Sequence, residues 1–213
     1  MIRHLIWDAG GTLFDTYPAV VEACRRALFS LGHNSSPVEI LPLFRISTDY
    51  GIRTLADRAG LAYTQLAERF REAYDAIGPQ YQPPFEAVRE VCAFISSNGG
   101  SNFIVTHRSL SSLSDLLNTH GLADYFAGSI SKDDPLPRKP DPASILALLE
   151  RYQLDPRECA VVGDRCMDVE AGHAAGVCTC LYGDEPCSTL PDLRIRHYRE
   201  LLAWLRTDQE APR

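Results

Sequence analysis

The apolar run His4-Leu5-Ile6-Trp7 ends on Asp8, and Gly10 and Gly11 follow almost at once. A run that short, closed by glycines, predicts a buried strand whose tip carries a carboxylate into a sharp turn. From about Pro18 to Leu31 the period becomes helical: Val20, Ala23, Cys24, Ala27, Leu28 and Leu31 share a face, and Gly32 stops it. Pro37 and Pro42 punctuate a short second helix, and helical spacing returns over about Asp49–Ala59 and Tyr63–Ile77. No strand-like alternation intrudes between Thr16 and Gln80, and Gly78-Pro79 and Pro83-Pro84 close the block.

From Phe85 the rhythm changes. A helix is predicted over Phe85–Ser97, a buried strand over Asn102–Thr106, a helix over Leu110–His120 and a short strand over Phe126–Ser131. A helix follows over Pro142–Tyr152, with Asp141 as its N-cap and Pro142 in its first position. Then come a strand at Glu158–Val162, a helix at Met167–Ala175 ended by Gly176, a strand at Val177–Tyr182 and a terminal amphipathic helix at Tyr198–Leu205. Such alternation implies an α/β fold, a doubly wound, mostly parallel sheet covered on both faces. The all-helical block, residues 16–83, reads as a small domain inserted into a core made of residues 1–15 and 84–213.

With 213 residues the chain can bury a core of that size. Its net charge of -7 gives nucleic acid no electrostatic footprint. The apolar run after Met1 is too short for a signal peptide and includes Asp8, and no window approaches a membrane span. The expectation is therefore a cytoplasmic protein. The seven cysteines form no CxxC pair and are expected as free thiols. Cys178 and Cys180 fall on one face of a strand. With Cys187 they could form a soft-metal site, but packing as small hydrophobes is the preferred reading.

Four stretches lie at or just beyond strand C-terminal ends, where open α/β sheets bind ligands: Asp8 with Gly10, Gly11 and Thr12; Thr106; Arg138-Lys139-Pro140-Asp141-Pro142; and Gly163-Asp164-Arg165-Cys166-Met167-Asp168. Each suits a task around a phosphoryl group. Asp8 can attack phosphorus to give an acyl phosphate. Thr106 can donate to a non-bridging oxygen, and Lys139 offers a compact positive charge. Asp164 and Asp168 can hold Mg²⁺ together with Asp8.

These motifs, in this order, resemble the haloacid dehalogenase superfamily, whose signatures are a D-x-D-G-T loop, a Ser/Thr on the second strand, a Lys often followed by Pro, and a G-D-x-x-x-D loop. The resemblance covers the whole chain, and Gly163–Gly176 is its most specific piece. It implies a Rossmann-like core, with the helical insert matching the C1-type cap of the subgroup that contains phosphoglycolate phosphatases. It implies Asp8 as nucleophile and Mg²⁺ on Asp8, the carbonyl of Gly10 and Asp164, with Asp168 supporting. Thr106 and Lys139 complete the catalytic set, and Gly11, Thr106, His107 and Lys139 are expected to meet the phosphate of a small phosphorylated substrate.

One position departs from the pattern. Gly10 stands where the family's phosphatases carry a second Asp, the residue that protonates the leaving group and then activates water. Its backbone carbonyl survives as a metal ligand, while proton transfer, worth about 10²–10⁴-fold, is lost. The phosphonatase variant of the family needs a cap lysine, and no lysine precedes Lys132. The dehalogenases bind no metal, which fits poorly with Asp164 and Asp168. Two readings remain: a Mg²⁺-dependent phosphatase for substrates with good leaving groups or with a surrogate acid, and a catalytically weak binding or regulatory protein. His107 is the candidate surrogate. His120 and His173 read as structural or solvent-facing, and Arg45, Arg53 and Arg58 of the insert as surface charge.

Overall fold

The computed structural model describes the backbone of residues 1–210 and the side chains of residues 1–208. Its contacts divide the chain into two units, residues 1–15 with 84–213, and residues 16–83.

The larger unit is built on β1 (His4–Trp7), β2 (Ser101–Val105), β3 (Phe126–Ile130), β4 (Cys159–Gly163), β5 (Cys178–Tyr182) and β6 (Leu193–Ile195). They form one parallel sheet in the order β3-β2-β1-β4-β5-β6. Because side chains alternate along a strand, each strand feeds both faces. Leu5, Trp7, Ile104, Ala160, Val162 and Cys180 build one core, and Ile6, Phe103, Val105 and Val161 build the other. Both faces are covered, which is why these strands are apolar throughout. Each fully buried Leu, Ile or Val contributes about 1.5–3 kcal/mol relative to exposure. Trp7 buries its indole because Asn102 Oδ1 accepts from Nε1 at 3.1 Å, while Asn102 Nδ2 donates to Cys92 O at 3.0 Å.

The smaller unit holds α1 (Tyr17–Ser30), α2 (Pro37–Ile46), α3 (Thr48–Ala59) and α4 (Tyr63–Ile77). Its core joins Ala23, Cys24 and Leu28 of α1 to Ile40 and Phe44, Leu55 and Ala56, and Leu66 and Phe70 of the other three. Gly51 is required there, since a Cβ would stand 2.6 Å from the Phe44 ring. The remaining helices, all in the larger unit, are α5 (Val88–Ser97), α6 (Leu110–Thr119), α7 (Ala143–Tyr152), α8 (Cys166–Ala174) and α9 (Tyr198–Glu210).

Several sequence expectations are corrected. Helix α5 starts at Val88 rather than Phe85, because Phe85 N is drawn to Leu13 O at 3.0 Å and Ala87 turns left-handed at φ 65°. Pro142, not Asp141, takes the cap position of α7, although Asp141 Oδ1 still accepts from Ala143 N at 2.9 Å. Strand β6 was not expected: three residues flanked by charged ones carry too little periodicity to read. The expectation of seven free thiols fails at Cys166 and Cys187, which form a disulfide with their Cα atoms 4.9 Å apart. The β5–β6 loop returns to the start of α8, a closure that a separation of 21 residues does not reveal. Cys187 is thereby taken from the conceivable soft-metal trio, while Cys178 and Cys180 pack on the core as expected. Among the described residues no helix is long and apolar enough to cross a membrane.

Candidate active site

The parallel register sets Trp7 of β1 beside Val162 of β4, and Asp8 N donates to Val162 O at 2.9 Å. Asp8 and Asp164 thus leave the sheet from adjacent strand tips, both buried. Past Asp8 the chain turns tightly: Leu13 N and Phe14 N both donate to Ala9 O at 3.0 Å, and Gly11 adopts φ 85°. Such a φ favours glycine. The turn is tied to β4 by Thr12, whose Oγ1 donates to Asp164 Oδ1 at 3.1 Å. Tyr198 of α9 donates its hydroxyl to Thr12 O at 2.6 Å.

Lys139 is the hub of the site. Its buried ammonium lies 2.6 Å from Asp8 Oδ1, 2.6 Å from Asp168 Oδ1 and 2.9 Å from Val105 O. It donates hydrogen bonds to Asp8 and to Val105 O and forms an ion pair with Asp168. Burial pushes the Lys139 ammonium down, but Asp168 and Asp8 outweigh it and hold its pKa above the ordinary value. Burial likewise pushes the Asp8 carboxyl up, yet Lys139 and then Arg165 prevail and hold it low. Asp8 is therefore kept ionised inside the protein, the form a nucleophile needs. Asp168 Oδ2 also accepts from Arg165 N at 3.2 Å. Gly163 makes this approach possible, because a Cβ there would stand 2.2 Å from Asp168 Cβ.

Thr106 and His107 follow β2, the other neighbour of β1. Thr106 is buried; its N donates to Ile130 O at 3.0 Å, and its Oγ1 accepts from Arg108 N at 3.2 Å. Burial, then Lys139 and Arg165, push the His107 imidazole down to about 4. An imidazole held that low favours its neutral form near pH 7 and is a poor acid there. Its Nε2 is buried without a hydrogen-bond partner among the described residues.

The predicted residues are thus brought together unevenly. Asp8, Lys139 and Asp168 touch directly, Asp164 joins through Thr12, and Gly10, Gly11, Thr106 and His107 lie at the same strand tips. Asp168, expected among the metal ligands, lies with its carboxylate beside the Lys139 ammonium and accepts from Arg165 N. Among the described residues no three His, Cys, Asp or Glu side chains stand together as a metal-binding group. The oxygen donors at these strand tips are the Asp8 and Asp164 carboxylates, the Gly10 carbonyl and, beside Lys139, the Asp168 carboxylate. Such hard oxygen donors suit Mg²⁺, which takes one or two carboxylates and completes its shell with water and phosphate. Sequence reasoning missed Arg165, whose Nη2 lies 4.0 Å from Asp8 Oδ1. Its place between Asp164 and Asp168 was the available signal.

Comparison with known proteins gives the family. The profile of the haloacid dehalogenase-like hydrolases matches residues 5–182. A phosphoglycolate phosphatase of Yersinia pseudotuberculosis is 30% identical over 217 residues, covering 94% of this chain and 92% of its own. The crystal structure of a hydrolase from Streptococcus pneumoniae is 31% identical with a TM-score of 0.66, covering 86% of this chain and 94% of that one. A Haemophilus somnus structure, described as a predicted phosphoglycolate phosphatase, superimposes with a TM-score of 0.84 over 96% of this chain and 98% of its own. At 17% identity it shows the fold alone.

Proposed function

Because this chain belongs to the haloacid dehalogenase-like hydrolase family, we propose that it is a phosphatase of small phosphorylated molecules that works through an aspartyl phosphate on Asp8. The observation that carries the reading is Lys139 at 2.6 Å from both Asp8 and Asp168, which keeps a buried carboxylate ionised at a strand tip. Residues 16–83 are read as the cap of the family's C1 type.

In the first step an Asp8 oxygen attacks phosphorus. The new O–P bond forms as the bond to the leaving oxygen breaks, and the electron pair departs on that oxygen. Glycine at position 10 supplies no carboxyl to protonate it, and the His107 imidazole, pushed down to about 4, is a poor acid near pH 7. The leaving oxygen therefore departs as an anion and takes its proton from water. That selects acyl phosphates and phosphoanhydrides over alkyl esters. In the second step a water oxygen bonds to phosphorus and the Asp8–phosphorus bond breaks. The carboxylate is restored, and the proton released by water passes to phosphate or solvent. Asp8, Asp164 and the Gly10 carbonyl, with Asp168 in support, would hold Mg²⁺, which would supply positive charge to offset the phosphate and the carboxylates. Lys139 holds Asp8 ionised, and Thr106 and the turn at Gly11 line the phosphate position.

Turnover of acetyl phosphate, pyrophosphate, 4-nitrophenyl phosphate and 2-phosphoglycolate, assayed with Mg²⁺ on wild type and Asp8→Asn, tests the reading. Acetyl phosphate or pyrophosphate is expected to lead, and Asp8→Asn to abolish all turnover. Undiminished activity of that variant would remove Asp8 from the mechanism. No turnover of any of the four by wild type would favour the phosphate-binding reading.

A further inference from the structure

We propose that Tyr198 is a positioning residue of the candidate metal site: its hydroxyl fixes the turn at Thr12 and, through the Thr12 hydroxyl, sets the Asp164 carboxylate for Mg²⁺. The inference rests on the reading of Asp164 as a metal ligand.

The relay is short and its donors are defined. Tyr198 Oη donates to Thr12 O at 2.6 Å across 186 positions of chain, and Thr12 Oγ1 donates to Asp164 Oδ1 at 3.1 Å. Tyr198 and Thr12 are both buried, where a hydrogen bond is stronger than in water. Burial pushes the Tyr198 phenol well above its ordinary value, so the hydroxyl remains a donor at any working pH.

The ring that carries this hydroxyl is held on several sides. Tyr182 of β5 stacks on it with centroids 4.7 Å apart and 17° between the planes. Trp7 of β1 and Phe85 lie tilted against it at 5.7 and 6.3 Å. What the hydroxyl grips is the middle of the turn after Asp8. Asp8 N donates to Val162 O at 2.9 Å, and Gly11 N donates to Phe14 O at 2.8 Å, so Thr12 lies inside a loop already closed around it. With Thr12 O held as well, the Thr12 side chain keeps its aim at Asp164. A hydrogen bond to one oxygen restrains rotation of the carboxylate, and a carboxylate restrained in advance loses less freedom when a cation arrives. Mg²⁺ demands near-ideal octahedral geometry, which makes its affinity sensitive to that orientation.

Titration calorimetry with MgCl2 tests the proposal on wild type, Tyr198→Phe, Thr12→Val, Thr12→Ser, the double variant Tyr198→Phe/Thr12→Val, and Asp164→Asn, alongside thermal melting. Tyr198→Phe keeps the packed ring and loses one oxygen, so it is expected to fold. It should weaken Mg²⁺ binding about 10-fold and Thr12→Val about 10- to 100-fold, the range for hydrogen-bond partners of metal ligands. Thr12→Ser keeps the hydroxyl and should stay close to wild type. In the Thr12→Val background, Tyr198→Phe should weaken binding by less than about two-fold more, because the relay is already cut. A residue that only packs would lower the melting point without this coupling. Affinity of Tyr198→Phe within about two-fold of wild type, or losses that multiply in the double variant, would overturn the proposal. Should Tyr198→Phe not fold, equal affinity in Thr12→Val and wild type still overturns it. Weakened binding in Asp164→Asn beside wild-type affinity in Tyr198→Phe overturns the proposal and leaves the metal reading standing. Equal affinity in Asp164→Asn and wild type, or no Mg²⁺ binding by wild type, overturns both.

Discussion

Lys139→Met is the most informative single perturbation, because it removes the ammonium while keeping most of the unbranched apolar stem. In the native protein that group lies 2.6 Å from each of two carboxylates, with the lysine and both aspartate side chains no more than 3% exposed. Removing one partner of a buried ion pair costs about 3–5 kcal/mol, since the other charge is left without compensation. For a chain of this length each kcal/mol moves the melting temperature by about 2–4 °C, so a fall of about 6–20 °C is expected near pH 7. The pH dependence has a defined sign. Burial raises the Asp8 carboxyl, but Lys139 and Arg165 hold it below its ordinary value in wild type. A carboxyl so held contributes stability above its unfolded pKa and loses it as pH falls through the folded value. Without Lys139 the effect of burial gains on the remaining cation and the Asp8 carboxyl moves up. Protonation then relieves the variant, so the gap in melting temperature should narrow from pH 7 to pH 5. Circular-dichroism melts of both proteins across that range measure it. A gap under 2 °C at pH 7, or one that widens on acidification, would refute the assignment of Lys139 as the compensating charge.

Gly10→Asp should raise turnover of alkyl and aryl phosphates by up to about 10²–10⁴-fold; the left-handed φ of the turn falls on Gly11, so an Asp at position 10 meets no such strain. A folded variant with unchanged rates on these esters would show that a missing acid is not the limiting defect. Asp164→Asn should weaken Mg²⁺ binding at least ten-fold by calorimetry, and equal affinity would remove Asp164 from the metal site. Cys187→Ser opens a cross-link between residues 21 apart, worth about 3 kcal/mol and therefore about 6–12 °C of melting temperature. A dithiol reductant should lower wild type to the level of the variant and leave the variant unmoved; a wild type insensitive to reductant would contradict this.

Local pattern made most of the elements legible. The helical face Val20–Leu31, the exact span Tyr63–Ile77 and the strand Phe103–Val105 could be read because their signal repeats within a few residues. The four motifs could be ordered along the chain for the same reason, and the parallel sheet followed from alternating strands and helices. Boundaries failed where a distant contact intervened. Ala87 turns left-handed at the point where Phe85 N is held by Leu13 O, 72 positions earlier in the chain, and no local preference in Phe85-Glu86-Ala87 announces it.

Within the site, the chain by itself determined which chemical groups are present: carboxylates at 8, 164 and 168, a hydroxyl at 106, an ammonium at 139, and no side chain at 10. It did not determine how they pair. Lys139 reaches Asp8 across 131 residues, and only the register of β1 between β2 and β4 sets these groups at one edge. Folding then decided that Asp168 would face the Lys139 ammonium, that Arg165 would approach the nucleophile, and that Cys166 would bond Cys187. The physical reason is one of range. Periodicity and turn chemistry act between neighbours in sequence, whereas charge compensation in a buried site is settled among whichever groups the packed sheet brings within a few ångströms.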